Sequence, residues 1–404
     1  MILAVFVAPF LTDNAKVHLD RLVSVEGARI ALVTASDPAS LDPNVRARLA
    51  RCVQIADGLS ADQIVGAGLH IAGTEGPIDR LIGIVEQLQV PVAEARERLG
   101  LPGMRAAQAQ NFRDKTRMKD LLRGAGLPVA RHRLVSASAS AVQFAEEMGY
   151  PVIVKPPAGA AAQTTYRADD EAALCRVLGP TSIAAGGVAL LEEMLSGQEH
   201  SFDAFVVDGR VAFYSISDYH PSCLDVMQNP WIQWVVVLPR EYESADIAAA
   251  AARACEVLGL ESGMCHLEWF RRADGSLAIS EVGARPPGAQ FPTLISRAHD
   301  VDAIGVWARL MVRGEFEPLP ERKYASGAAY LRGQGEGRVR AVHGLDTVKR
   351  DLGDLVTDAR LPHVGQGKAP SYEGEGFIIV RHPETKVVRD ALSHVVSTVR
   401  VELG

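Results

Sequence analysis

The sequence predicts a mixed fold class, with an α/β region at the amino end and α+β regions after it. Three observations support this prediction. Residues 1–100 alternate short apolar runs with helix-like segments, a pattern typical of a doubly wound parallel sheet. Asp-Gly pairs at 208–209 and 274–275 each separate two alternating segments and predict antiparallel hairpins. Residues 324–404 combine short strands, glycine-rich loops and a last helix, which predict a small α+β lobe.

The chain of 404 residues is too long for one compact core, so we expect more than one domain. Glycine and proline at 100–103 mark a first boundary, and the character of the sequence changes after the glycine at 314. The predicted domains therefore cover residues 1–100, 101–315 and 316–404.

Composition narrows the class of protein. The net charge of −7 and the lack of any block of five like charges argue against a nucleic-acid surface. The apolar opening has no basic residues and is predicted to be a first strand, and no run of 18 apolar residues predicts a membrane span. Five cysteines without zinc spacing are expected to be reduced thiols, which is typical of a cytoplasmic protein.

Within residues 1–100 we expect strands at 1–7, 29–34, 53–56 and 64–67, and helices at 15–23 and 81–89. Gly66 and Gly68 resemble the start of a dinucleotide fingerprint. The third glycine position holds Ile71, so a loop at a strand end is the better interpretation and a dehydrogenase is disfavoured.

Two lysines stand where a phosphate group could bind. Lys115 lies in a basic helical stretch, and Lys155 ends the apolar strand 152–155 before the small-residue loop 158–165. A lysine supplies a point charge, and small side chains let backbone N–H groups approach phosphate oxygens. The alternative for Lys155 is an exposed lysine before a flexible loop.

A strand at 188–191 leads into Glu192-Glu193-Met194-Leu195, and Glu199 follows. Such a passage offers backbone groups to an adenine edge and a carboxylate to ribose hydroxyls, although a simple charged loop has the same composition. The later segment 220–234 is predicted to be a long irregular loop, and loops of that length are usually functional.

The predicted hairpin at 265–282 carries one carboxylate on each strand, Glu268 and Glu281. Antiparallel pairing would bring the two acids side by side, and adjacent carboxylates among apolar neighbours require a cation. Mg²⁺ takes carboxylate oxygens together with substrate phosphates. Arg285 follows where prolines force the chain out of the strand. The alternative is a surface hairpin whose acids are solvated.

The segments DKTRMK, PVIVKP, EEMLSGQE and EVGARPPG, in this order, resemble the ATP-grasp superfamily. The resemblance is to its carboxylate–amine (amino-acid or dipeptide) ligases and its biotin carboxylase-like branch, and it covers essentially the whole chain. It implies an ATP-grasp fold with an N-terminal Rossmann-like domain, a nucleotide-clasping region and a C-terminal lobe.

The resemblance implies a role for each matching residue in binding ATP. Lys115 and Lys155 would hold the phosphates. Glu192 and the backbone from Glu193 to Leu195 would read adenine, and Glu199 would bind ribose.

The resemblance also implies that Glu268 and Glu281 hold Mg²⁺, or Mn²⁺, and that Arg285 stabilises an acyl phosphate. Two features depart from the superfamily pattern. Gly283 stands where a third metal ligand, usually Asn, is expected, and the phosphate loop is rich in alanine rather than glycine.

The implied activity is an ATP-dependent ligase that joins a small-molecule carboxylate to an amine through an acyl phosphate. A homodimer is also implied. Ala289 replaces a glutamate of biotin carboxylases and argues against that reaction, whereas a purine-pathway enzyme that transfers formyl or carboxyl groups and a non-catalytic nucleotide-binding regulator remain open. Segment 220–234 is the candidate for acceptor specificity, loops 158–165 and 333–337 are candidate lids, and Arg332 is a candidate for a substrate carboxylate.

Overall fold

The computed structural model describes residues 1–159, 165–178, 187–229, 232–242 and 244–404. Its amino-terminal elements are β1 (Ile2–Val7), α1 (Asp13–Val23), β2 (Ala28–Thr34), α2 (Pro43–Ala47), β3 (Arg51–Gln54), α3 (Ala61–Glu75), β4 (Arg80–Gly83) and α4 (Gln89–Leu99). The four strands pair in parallel in the order β3-β2-β1-β4. Alternate β1 residues enter different core clusters, so both faces of the sheet are covered. The predicted α/β region is confirmed.

Two amino-terminal predictions are wrong. Residues 64–67 lie inside α3, which Ser60 caps by accepting from the N–H of Gln63, so Gly66 and Gly68 are helical and form no phosphate turn. The predicted helix 81–89 is instead β4, a 3₁₀ turn at Glu86–Leu88 and the start of α4. Pairing of β4 with β1 decides this segment, because a distant strand offers more burial than a local helix.

The next elements are α5 (Ala106–Arg113), α6 (Lys115–Gly124), β5 (His132–Val135), α7 (Ser138–Met148), β6 (Val152–Lys155), β7 (Tyr166–Ala168), α8 (Glu171–Leu178) and β8 (Ala189–Glu193). Strands β5 to β8 form an antiparallel sheet in the order β5-β8-β6-β7. Residues 160–164 of the predicted phosphate loop lie outside the described residues.

A larger sheet starts with β9 (Gln198–Val207), β10 (Arg210–His220), α9 (Cys223–Gln228), β11 (Trp234–Leu238), α10 (Ala245–Leu258), β12 (Gly263–Arg271), β13 (Leu277–Gly283), α11 (Phe291–His299) and α12 (Ala303–Arg313). Both predicted Asp-Gly hairpins are confirmed, as β9–β10 and β12–β13. Segment 220–234 is less irregular than predicted, because Ser222 accepts from the N–H of Asp225 and starts α9.

The last elements are β14 (Ala325–Leu331), β15 (Gly333–Gln334), β16 (Val339–His343), α13 (Leu345–Leu352), β17 (Val356–Arg360), β18 (Gly376–His382), α14 (Thr385–Thr398) and β19 (Arg400–Leu403). Strands β14, β18 and β17 extend the large antiparallel sheet, whose order is β13-β12-β9-β10-β11-β14-β18-β17. The predicted division into three domains stays a prediction. Within the described ranges, none of the helices combines the length and the apolar character that crossing a membrane requires.

Candidate active site

A cavity of about 360 Å³ lies between the β5–β8 sheet and the large sheet. It brings together side chains that are up to 286 residues apart in the sequence, from Glu86 to Tyr372. All of the residues singled out from the sequence as nucleotide, metal or catalytic candidates line it: Lys115, Lys155, Glu192, Glu193, Leu195, Glu199, Glu268, Glu281 and Arg285. Loop 333–337 does not line this cavity; its first two residues form β15 beside β19.

The two hairpin carboxylates face each other across β12 and β13. Glu268 is the register partner of Glu281, and the register shifts directly after this pair. The turn closes locally, because Asp274 accepts from the N–H of Ser276 and Gly275 adopts a φ of 83°. The hairpin therefore presents two opposed acids to the cavity, as the alternation predicted.

Glu281 is balanced by a lysine from α6. Asp114 caps this helix by accepting from the N–H groups of Thr116 and Arg117, which fixes Lys115 at the first helical position. Lys115 Nζ donates to Glu281 Oε1 at 2.7 Å and to the Gly159 carbonyl at 3.3 Å. Burial alone would raise the pKa of Glu281, but the positive charge of Lys115 and Lys155 outweighs it and lowers that pKa to about 2.

The second lysine forms part of a buried three-residue cluster. Glu192 Oε2 lies 2.9 Å from Lys155 Nζ, and Glu192 Oε1 lies 3.3 Å from Lys119 Nζ. Lys119 also donates to the Ser280 carbonyl at 2.6 Å. Burial would lower the pKa of Lys155, yet the charges of Glu192 and Glu281 raise it. For Lys119 burial prevails and lowers the pKa to about 8. Of Lys155 and Lys119, only Lys155 lines the cavity, so these two lysines have different surroundings.

The passage after β8 leaves its backbone at the cavity. Arg131 and Arg272 donate to the Glu193 carboxylate at 2.8 and 3.0 Å, so these two arginines hold that side chain in place. Leu195 is buried and lines the cavity together with Ile153. Apolar side chains beside a segment of backbone are an arrangement that suits a flat heterocycle.

Glu199 lies next to the carboxylate of Glu268. It accepts from the N–H of Cys223 at 2.8 Å, and it makes no ion pair with any described residue. Burial, and then the charge of Glu268, raise the pKa of Glu199 to about 8. Ligand atoms of Glu199, Cys223 and Glu268 all lie within 4.8 Å of one another. Glu268 belongs to this group and Glu281 is its register partner on β13, so the pair offers the carboxylate oxygens that a hard divalent cation such as Mg²⁺ takes.

His266 is a further cavity residue that the sequence did not single out. Its Nδ1 lies 2.6 Å from Asp203 Oδ1, and its Nε2 lies 3.5 Å from Glu268 Oε1. Burial would lower the pKa of His266, but the charges of Asp203 and Glu268 raise it to about 9. The ring is therefore an imidazolium that supplies the positive charge beside Glu268.

A second unpredicted residue, Glu86, reaches the cavity from the amino-terminal region. Arg285 Nε donates to Glu86 Oε2 at 2.6 Å, and its Nη1 donates to the Pro286 carbonyl at 3.0 Å. Glu86 lies beside Gly283, where a Cβ would be in ordinary contact with Glu86 Oε2 at 3.5 Å. Burial would lower the pKa of Arg285, and the charge of Glu86 raises it instead.

Aromatic rings form the wall around Arg285 and α9. Trp234 packs edge-to-face on Tyr219 and on Tyr372, and Phe291 packs against Tyr219. All four rings line the cavity.

Arg332 does not point to this cavity. It donates instead to the backbone carbonyls of Val226 and Ile232, at 2.9 and 2.6 Å, and so fixes the end of α9. The suggestion that it binds a substrate carboxylate is therefore wrong.

Comparisons with known proteins agree with this architecture. Residues 114–210 match the family model described as the ATP-binding domain of the carbamoyl-phosphate synthase L chain. The L-arginine-specific L-amino acid ligase of Bacillus subtilis is 25% identical over 233 residues, which cover 56% of each chain. A phosphoribosylamine–glycine ligase of Allochromatium vinosum is 36% identical over 168 residues, which cover 38% of this chain and 37% of that protein. The chain thus spans about half the length, or less, of these two relatives.

A crystal structure of an L-amino acid ligase from Bacillus licheniformis covers 100% of this chain, and 98% of its own, with a TM-score of 0.79 at 20% identity. Likeness at this identity shows the fold. The predicted resemblance to the ATP-grasp superfamily and the predicted fold class are both confirmed.

Proposed function

We propose that this chain, which has the ATP-grasp fold, is an ATP- and Mg²⁺-dependent ligase that joins a small-molecule carboxylate to an amine. ADP and phosphate would be released, and an acyl phosphate would be the intermediate. One observation carries the proposal: two opposed carboxylates, two lysines and an arginine converge on a single cavity with an apolar cleft. Such a set binds a triphosphate and stabilises charge that moves between phosphate and carboxylate oxygens.

Different residues of the cavity would bind different parts of ATP. Lys155 and Lys115 would hold phosphate oxygens, and the backbone from Glu193 to Leu195 would accept the adenine edge. Glu199 would bind the ribose by accepting hydrogen bonds from its hydroxyls. Glu268 and Glu281 would hold Mg²⁺, which would supply neutralisation of phosphate charge.

Arg285 would stabilise the acyl phosphate, because its guanidinium lines the cavity and is held there by Glu86 and the Pro286 carbonyl. Closure against water is also required, since water competes with the amine for this intermediate. The rings of Tyr219, Trp234 and Tyr372 form an apolar wall of the cavity.

The pair of Glu86 and Arg285 supports an amino acid as a substrate. An amino acid carries a carboxylate and an ammonium a few ångströms apart. These two groups can replace the direct contact between Arg285 and Glu86, whose nitrogen and oxygen atoms are 2.6 Å apart. Its carboxylate would then face Arg285 and its ammonium Glu86. Within the superfamily, this favours an amino-acid ligase over a regulator that binds nucleotide alone.

The test is ADP and phosphate release from Mg-ATP with amino acids and small carboxylates, each alone and in pairs, followed by mass spectrometry. Release that requires two substrates, with a product mass equal to their sum minus water, supports the proposal. Hydroxamate formed from one acid and hydroxylamine would identify the acyl phosphate. ATP binding without ADP release across the whole panel would favour the regulator.

A second candidate is a ligase of the purine pathway, which the 36% identity to a phosphoribosylamine–glycine ligase favours. It belongs to the same reaction class, with glycine as the acid and a sugar amine as the acceptor. Adding a phosphoribosylamine-generating mixture to the panel separates the two. The predicted homodimer and cytoplasmic location stay predictions.

A further inference from the structure

A row of polar side chains lies on strands β9 and β12 and ends at a proposed metal ligand. In the antiparallel register His266 is opposite Asp203, and Glu268 is opposite Ser201. Because these residues are two apart on each strand, all four side chains stand on the same face of the sheet. Ser201 Oγ donates to Asp203 Oδ2 at 2.7 Å, Asp203 Oδ1 lies 2.6 Å from His266 Nδ1, and His266 Nε2 lies 3.5 Å from Glu268 Oε1.

This row of polar side chains is buried at its Ser201 end and reaches the cavity at its Glu268 end. Ser201 is fully buried and Asp203 is 1% exposed, whereas the Glu268 side chain is 24% exposed at the cavity. The ring of Phe291 lies 5.4 Å from the ring of His266 and closes off one side of it. A buried carboxylate with two donors has one stable position, so the imidazole it holds also has one orientation.

The two metal carboxylates are supported differently. Glu281 has Lys115, which comes from another element and also touches the Gly159 carbonyl. Among the residues that the structure describes, Glu268 has an ion pair with His266 only. The orientation of the Glu268 carboxylate therefore depends on the side chain that Asp203 holds in place.

We propose that His266 is a positioning residue: held by Asp203 and Ser201, it orients the Glu268 carboxylate and so sets the affinity of the nucleotide site for Mg²⁺. The inference rests on the proposed function only in its assignment of Glu268 to the metal. Partners that orient a metal ligand typically change metal affinity 10- to 100-fold when they are removed.

The experiment compares two substitutions that retain different halves of the imidazole. His266→Asn keeps a donor near the position of Nδ1 for Asp203 but does not reach Glu268, and His266→Gln places a donor nearer to Nε2. Mn²⁺ affinity is measured by electron paramagnetic resonance in the presence of ADP, together with ADP affinity in EDTA. Exposed His363 gives matched controls, His363→Asn and His363→Gln.

We expect Mn²⁺ affinity to fall at least ~10-fold in His266→Asn and less in His266→Gln, with ADP affinity in EDTA unchanged. Asp203→Asn should reproduce the loss in Mn²⁺ affinity. Unchanged Mn²⁺ affinity in folded His266→Asn and Asp203→Asn would overturn the inference, as would an equal loss of metal-free ADP affinity. If the unaltered protein binds no Mn²⁺ with ADP, the metal assignment itself fails, and the proposed function fails with it.

Discussion

Lys115 Nζ donates to Glu281 Oε1 at 2.7 Å, although 166 residues separate them in the sequence. The contact joins the first turn of α6 to β13, and both side chains line the cavity. In the proposed function a cation would replace Lys115 at Glu281, and Lys115 would then hold a phosphate oxygen. The two ends of this contact can be tested separately.

Glu281→Gln should abolish ATP turnover and leave the fold intact. The amide keeps the size of the side chain but loses the charge that attracts the cation and Lys115, so kcat should fall at least ~100-fold. ADP release and a thermal melt measure the two effects. Glu256→Gln, at an exposed position of α10, is the matched control and should behave as the unaltered protein. ADP formation at an unaltered rate in Glu281→Gln would exclude Glu281 as a metal ligand.

The lysines on either side of Glu192 should differ in their effect on ATP binding. Lys155→Ala should weaken ATP binding at least ~10-fold by calorimetry, because Lys155 lines the cavity. Lys119→Met should leave ATP affinity nearly unchanged and lower the free energy of unfolding by about 3 kcal/mol, because it removes one partner of a buried ion pair. Exposed Lys349→Met is the control. The opposite assignment of effects would mean that Lys119 binds the nucleotide.

Local sequence patterns predicted most of the residues to which a role in the candidate site is assigned. Asp274-Gly275 and the alternation around it predicted the β12–β13 hairpin, and with it the opposition of Glu268 and Glu281, because both depend on residues within one turn of chain. Lys155 was found in the same way, at the end of an apolar run that does form a strand. These signals need no knowledge of the rest of the fold.

The missed residues depend on contacts between distant segments. The role proposed for His266 depends on Asp203, 63 residues away, and the register of β9 against β12 brings the two together. Glu86 was hidden in a segment whose apolar spacing resembled a helix, whereas pairing with β1 makes it a strand and a turn. A polar residue beside a metal-ligand candidate, as in His266-Leu267-Glu268, was the one local signal available.

Glu86→Gln should impair the use of an amine-bearing carboxylate substrate more than the use of ATP. The loss of a charge-assisted hydrogen bond to an ammonium should raise the KM for that substrate ~10-fold, with the KM for ATP changed less than ~2-fold. The measurement uses the substrate pair identified by ADP release, and exposed Glu94→Gln on α4 is the control. An equal rise in both constants would instead indicate that Glu86 acts only by fixing Arg285.

The buried histidine of α1 should make the protein sensitive to acid. His18 packs edge-to-face on Trp307 and shares a hydrogen bond between its Nδ1 and the Asn14 carbonyl at 2.8 Å, and burial lowers its pKa to about 4. The unfolded chain, with an ordinary pKa near 6.5, therefore takes up this proton first as the pH falls. The resulting stability is present above pH 6.5 and is lost toward pH 4, by roughly 3 kcal/mol. Urea unfolding from pH 7 to pH 4 should show a shallower decline for His18→Gln than for the unaltered protein, whereas exposed His70→Gln should keep the full slope. Parallel declines in all three proteins would place the acid sensitivity in other groups.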